Sequence, residues 1–159
     1  MPHDSFLLLY KTLVLPVLLY CGSIWHPFNV CHLDRVEAVQ RRATRILYRR
    51  KFPNELVSYE NRLKHFNIIS IKHNLALQRL ALGHKIVHGH SPAEFSQFIR
   101  PSTHAPGRLL HWTAKTQTFY NSPFVHFTRL WNDLPLDLWE IPFVKSFCNR
   151  LYDHHLSTY

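Results

Sequence analysis

The sequence predicts a mainly α-helical protein, a small helical bundle with at most one short β-hairpin. Three observations predict it. Apolar residues recur at three- and four-residue spacing over 33–50 and again over 70–88. Most prolines fall at the edges of such runs, where they stop or open helices. Glycine is scarce, 4 in 159 residues, while 46% hydrophobic and 14% aromatic content is enough to bury a core.

The elements follow in order. Residues 6–20 are strongly apolar, but Lys11 and Pro16 interrupt them, and a membrane span needs about 20 apolar residues. The segment also lacks the basic start of a signal peptide, since His3 and Asp4 precede it. It is read as a buried helix, capped by Asp4 and kinked or ended by Pro16. A loop with Trp25 and Pro27 follows. The clearest helix covers 33–50, with Val36, Val39, Ala43, Ile46 and Leu47 on one stripe. Phe52-Pro53 stops it. A short helix is expected over 55–65. Another opens on the cap Ser70 and ends at Gly89.

Residues 91–107, with Pro92, Pro101 and Pro106, read as a long loop and as the place for any lobe boundary. Residues 109–112 and 116–120 are the two arms of the one hairpin. Ser122-Pro123 opens a helix carrying Phe124, Phe127, Leu130 and Trp131, which Pro135 stops. Pro142 opens the last helix, with Phe143, Phe147 and Leu151 as its apolar face. The organisation is therefore a segment 1–52 with the basic helix, a helical segment 53–90, the loop 91–107, and a segment 108–159 of hairpin plus helices. These form one compact unit or two small lobes.

Nineteen Lys and Arg against ten Asp and Glu give a formal charge of +9. That excess calls for an anionic partner, nucleic acid or an anionic membrane surface. Much of it lies between Arg35 and Lys51. Arg35, Arg42, Arg45 and Arg49 fall in one narrow sector of the helix, and Arg41, Arg50 and Lys51 widen it. Asp34 and Glu37 are the only acids there, too few to neutralise it. Guanidinium groups suit phosphate oxygens, so these seven residues are the candidate nucleic-acid-binding set. A membrane-surface role, with 6–20 as anchor, ranks below nucleic acid.

Other constellations carry less. His84 and His88 are spaced i,i+4 with His90 beyond; Cys148, His154 and His155 form a second group; Cys21, Cys31 and His32 form a third. None has zinc-knuckle or H-E-x-x-H spacing, so no metal site and no cofactor is assigned. Three cysteines make a closed disulfide framework implausible and favour an intracellular, reducing setting, nuclear or cytoplasmic. Trp112, Tyr120, Trp131 and Trp139 have the chemistry to stack on bases, but core packing is the better reading. Asp133, Asp137 and Glu140 surround Pro135 and charge a helix end, and no nucleophile motif frames any serine.

Four segments taken together resemble the C-terminal part of non-LTR, LINE-type retrotransposon reverse transcriptases, in the Jockey-like style. The first is Leu9-Tyr10-Lys11-Thr12-Leu13-Val14-Leu15-Pro16-Val17-Leu18-Leu19-Tyr20 followed by Trp25, similar to the opening of the thumb. The second runs from Leu33 to Arg45 around Val39-Gln40-Arg41-Arg42-Ala43, similar to the basic thumb helix. The third is Ser58-Tyr59-Glu60-Asn61-Arg62-Leu63, then Lys85-Ile86-Val87-His88-Gly89. The fourth is Phe127-Thr128-Arg129-Leu130-Trp131-Asn132-Asp133-Leu134-Pro135, then Phe147 and Leu151. Their order and spacing cover nearly the whole chain.

The family's polymerase uses an aromatic-x-Asp-Asp motif and a third Asp to hold two divalent metals. No two acids are adjacent here; Asp4, Asp34, Asp133, Asp137 and Asp153 are isolated. The resemblance therefore implies a fragment without the palm, with no polymerase activity of its own. In the parent protein it would hold the template–primer duplex against the missing palm. It also implies that 6–20, which would pack on that palm, is exposed and favours self-association. Two other readings stand beside it: a non-enzymatic α-helical nucleic-acid or protein adaptor, and an inert transposon remnant.

Overall fold

The computed structural model describes the backbone over residues 3–25 and 30–157 and side chains over 5–25 and 31–153. The cap expected of Asp4, the position of Pro27 and the side chains of His154 and His155 lie outside these. The helices are α1 (His3–Leu9), α2 (Leu15–Leu19), α3 (Gly22–Trp25), α4 (Val30–Lys51), α5 (Tyr59–Phe66), α6 (Ile71–Val87), α7 (Gln117–Tyr120), α8 (Pro123–Asn132), α9 (Leu136–Trp139) and α10 (Val144–Ser157). A π-helical turn, Tyr10–Val14, joins α1 to α2, and a 3-10 helix covers Ala93–Phe98. Among the described residues there is no strand, and the fold is mainly α as expected. The chain divides into two compact units, Met1–Gly22 with His26–Leu75, and Ser23–Trp25 with Ala76–Tyr159.

In the first unit, Pro16 acts as expected, through a wider turn. Proline cannot donate to the helix ladder and crowds the carbonyl four residues back. The π turn just before it, with Leu15 N–H donating to Tyr10 O, accommodates that crowding. α5 starts later than expected because Ser58 caps it, its Oγ accepting from Asn61 N–H at 3.2 Å. Asn67 ends it in the left-handed conformation, φ 48°. Ser70 likewise caps α6, accepting from His73 N–H at 3.3 Å.

The buried face of α4 corrects the expected one. Val39 is 42% exposed and Ile46 37%, whereas Glu37, Gln40 and Thr44 are at most 1% exposed, beside buried Leu47 and Tyr48. At about 100° per residue the buried face lies about a quarter turn from the apolar stripe. It is polar because every group on it finds a partner. Tyr59 OH donates to Glu37 Oε1, and the Lys72 amide, in the first turn of α6, donates to Oε2 at 3.0 Å. Gln40 accepts from Tyr10 OH at 2.9 Å and donates to Ile69 O at 2.9 Å and Tyr59 OH at 3.2 Å. Thr44 donates back to Gln40 O at 2.8 Å. Burial, with the Glu37 carboxylate close by, raises the phenols of Tyr10 and Tyr59 above their ordinary pKa, so both stay neutral donors.

The second unit has an aromatic core of Leu80, Leu109, Phe127, Trp131, Leu138, Trp139, Phe147 and Leu151. α6 and α8 approach closely at Gly83, where an added Cβ would lie 1.9 Å from the Phe127 ring. Ser122 caps α8 with Pro123 in its first turn, as the sequence indicates. Phe143, expected on the buried face of α10, is 70% exposed because it precedes the helix. The expected hairpin is absent. Thr116 instead caps α7, and Leu109 pairs with the Asn132 side chain, which accepts from its N–H and donates to its O, both at 2.9 Å. An isolated antiparallel bridge joins Pro101 to Leu109.

Candidate nucleic-acid interface

α4 is an uninterrupted helix of 22 residues, and that continuity turns sequence spacing into a surface. Arg35, Arg41, Arg42, Arg45, Arg49, Arg50 and Lys51 are all exposed on it. Arg35, Arg42, Arg45 and Arg49 span about 80° of the helix, nearly opposite the buried polar face. The half-exposed Val39 and Ile46 lie beside them, and Glu55 is the acid that shares a pocket with Arg45 and Arg49.

The two acids of the helix are engaged elsewhere. Asp34 pairs with Lys72 at 2.7 Å, the one ion pair among the described residues. That hydrogen bond, aided by the charges of Lys72 and Arg41, holds its carboxyl below the ordinary range. Glu37 is enclosed with Tyr59 and the α6 amide. The cations rest on rings instead: Arg41 lies 5.3 Å from the Tyr59 centroid, Arg50 5.2 Å from Phe6 and Lys51 5.5 Å from Phe52. Such contacts orient a guanidinium without neutralising it. The outer face of α4 is therefore a positive surface on a continuous helical backbone.

One arginine outside the predicted set belongs with it. Arg62, on α5, lines a pocket with Arg45 and Arg49. Its role was not legible because it arises from α5 packing against α4, which spacing along one helix does not reveal.

The remaining candidates separate. Trp131 and Trp139 are core residues, as expected: Trp131 Nε1 donates to Gly107 O at 2.9 Å and Trp139 Nε1 to Trp131 O at 3.1 Å. Trp112 and Tyr120 do not join that core. Arg100 lies 4.1 Å above the half-buried Trp112, and Arg129 lies 4.3 Å from the exposed Tyr120 ring.

His84 and His88 face the core of the second unit. His84 is buried, stacks 4.2 Å from Phe147, and donates through Nε2 to Ile141 O at 2.7 Å. His90 is exposed. Among the described residues no group of three or more His, Cys, Asp or Glu is placed to hold a metal ion. Asp133, Asp137 and Glu140 are exposed at the ends of α8 and α9, and Asp34 and Glu37 of α4 engage other partners.

Burial lowers the pKa of His73, His84 and His88, so the fold prefers their neutral forms. With folded values below unfolded ones near 6.5, the unfolded chain binds more protons in the window beneath. Stability is therefore fully present above about pH 6.5 and falls as pH drops toward the lower folded values. Melting curves from pH 7.5 to 5 should show a falling Tm, less steep in His84→Gln. A Tm independent of pH over this range would contradict the assignment.

No protein-family model, curated protein or solved structure matches the chain.

Proposed function

We propose that this chain acts as the thumb and post-thumb region of a LINE-type reverse transcriptase, holding a template–primer duplex by its phosphate backbone. The observation that carries the proposal is the exposed basic surface of α4: Arg35, Arg42, Arg45 and Arg49 lie along its outer face, Arg41, Arg50 and Lys51 are exposed beside them, and the nearby acids Asp34, Glu37 and Glu55 each engage another partner. Arg35, Arg41, Arg42, Arg45 and Arg49 contact phosphates, with Arg50 and Lys51 extending the track. Nucleotidyl transfer belongs to palm carboxylates, which this sequence does not contain. The role of the chain is positioning, so its affinity is independent of base sequence. An intracellular setting suits this role, and the free thiols of Cys21 and Cys148 agree with it. Among the described residues no helix is long and apolar enough to cross a membrane.

A second reading, a protein adaptor, is favoured by one observation. Leu8, Leu13, Val17 and Tyr20 are each more than 60% exposed along 6–20, an apolar surface suited to a protein partner or a second copy. In the thumb reading the same surface meets the palm. The two separate by affinity for two RNA–DNA duplexes of unrelated sequence, measured by fluorescence anisotropy. The thumb reading expects Kd values within about twofold of each other. Discrimination beyond about tenfold, equivalent to about 1.4 kcal/mol, overturns it in favour of an adaptor.

A further inference from the structure

Arg62 is a charged side chain only 9% exposed. Nη1 donates to Val57 O at 2.6 Å, and the guanidinium lies 5.7 Å from the Tyr59 ring centroid. Its Nε is sealed from solvent and has no hydrogen-bond partner. No described carboxylate pairs with it. A buried cation left this way is costly, because no described acid pairs with it to offset its desolvation. Burial, and then the charges of Arg45 and Arg49, hold its pKa below the ordinary arginine value, so the three cations feel one another.

They share a pocket of about 260 Å3, whose lining includes Arg45, Arg49, Arg62, Tyr48 and Glu55. Glu55 is the one acid of the lining, and it accepts a hydrogen bond from Tyr48 OH at 2.9 Å. Three positive charges therefore face one negative charge. The α4 arginines sit one turn apart, and Arg62 approaches from α5, so the charges do not lie along a single line. A single tetrahedral dianion or a phosphodiester answers this arrangement. Its oxygens accept forked guanidinium donors and offset the mutual repulsion.

We propose that Arg45, Arg49 and Arg62 enclose one phosphate group, supplied by the backbone of bound nucleic acid or by free phosphate. The nucleic-acid source rests on the α4 reading above. The pocket would then fix one phosphate in register while the exposed arginines follow the strand.

The test uses the whole chain in two arms. Inorganic phosphate is titrated against the Nε–Hε correlations of the arginines by NMR, with chloride as control. A labelled RNA–DNA duplex is titrated by anisotropy at several salt concentrations, with Arg62→Gln, Arg62→Lys and, outside the pocket, Arg35→Gln. Phosphate is expected to shift the Arg62 signal saturably in the parent and in Arg35→Gln. In the duplex arm, Arg62→Gln is expected to lose about eightfold in affinity near 0.1 M salt and to flatten the salt slope by about 0.9, while Arg62→Lys keeps the slope.

Duplex binding that Arg62→Gln leaves unchanged, with an unmoved Arg62 signal, overturns the pocket and leaves the α4 reading intact. Saturable phosphate binding without duplex binding supports the pocket with free phosphate as its source, and removes the nucleic-acid reading. If Arg62→Gln does not fold, the parent titration decides: an unshifted Arg62 Nε–Hε overturns the proposal.

Discussion

Replacing Arg42, Arg45 and Arg49 together by glutamine is expected to weaken duplex binding by on the order of 10²-fold near 0.1 M salt. Each phosphate contact releases close to one counterion, worth about eightfold in affinity near 0.1 M salt, and two contacts are lost, one at Arg42 and the one that Arg45 and Arg49 share. The three side chains are exposed on the outer face of α4 and have no ion pair among the described residues, so the fold has little to lose. The thermal transition should stay within a few degrees of the parent, since exposed substitutions usually change stability by about 0.5 kcal/mol or less. An affinity reduced less than about fivefold would mean that the duplex, if bound, lies elsewhere.

The second large effect concerns stability. Glu37→Ala is expected to destabilise the protein by about 3 kcal/mol, because it removes an enclosed charged acceptor and strands two donors. Those donors are the Tyr59 hydroxyl and the Lys72 amide of the first turn of α6. Tyr59 is also tied to Gln40, and Gln40 to Tyr10, so the loss spreads through a connected network. Glu37→Gln keeps an acceptor of nearly the same shape and should cost about half as much. Urea unfolding at pH 7 measures both. A loss under about 1 kcal/mol for the alanine variant would show that the network contributes little.

Helix positions were legible where a local signal marks them. Ser70 and Ser122 cap the helices that follow them, and Pro16 sets the change of helix type in the first segment, whereas the Ser58 cap was not read and α5 starts later than expected. The inward face of α4 was not legible. Hydropathy favours Val39 and Ile46 as buried, yet Glu37, Gln40 and Thr44 are inside because tyrosines, a carbonyl and a helix amide satisfy them. Those partners come from residues 10, 59, 69 and 72, and no periodicity within α4 announces them. The hairpin failed for a related reason: a side chain, Asn132, supplies the hydrogen bonds that a second strand would have given Leu109.

The candidate site was legible to the same extent. Permanently charged residues at helical spacing predicted the exposed track, and α4 presents it outward. The error in the inward face left this prediction standing, because the true buried face lies farther from the arginines than the expected one. Arg62 escaped notice because it sits on a different helix and its burial depends on packing.

The central claim is that α4 grips nucleic acid through phosphates alone. It is tested most directly by the salt dependence of parent affinity for an RNA–DNA duplex. With about four phosphates neutralised, log affinity should fall linearly against log salt with a slope of about −3 to −4. A slope shallower than about −1, or no binding near 0.05 M salt, would contradict the account.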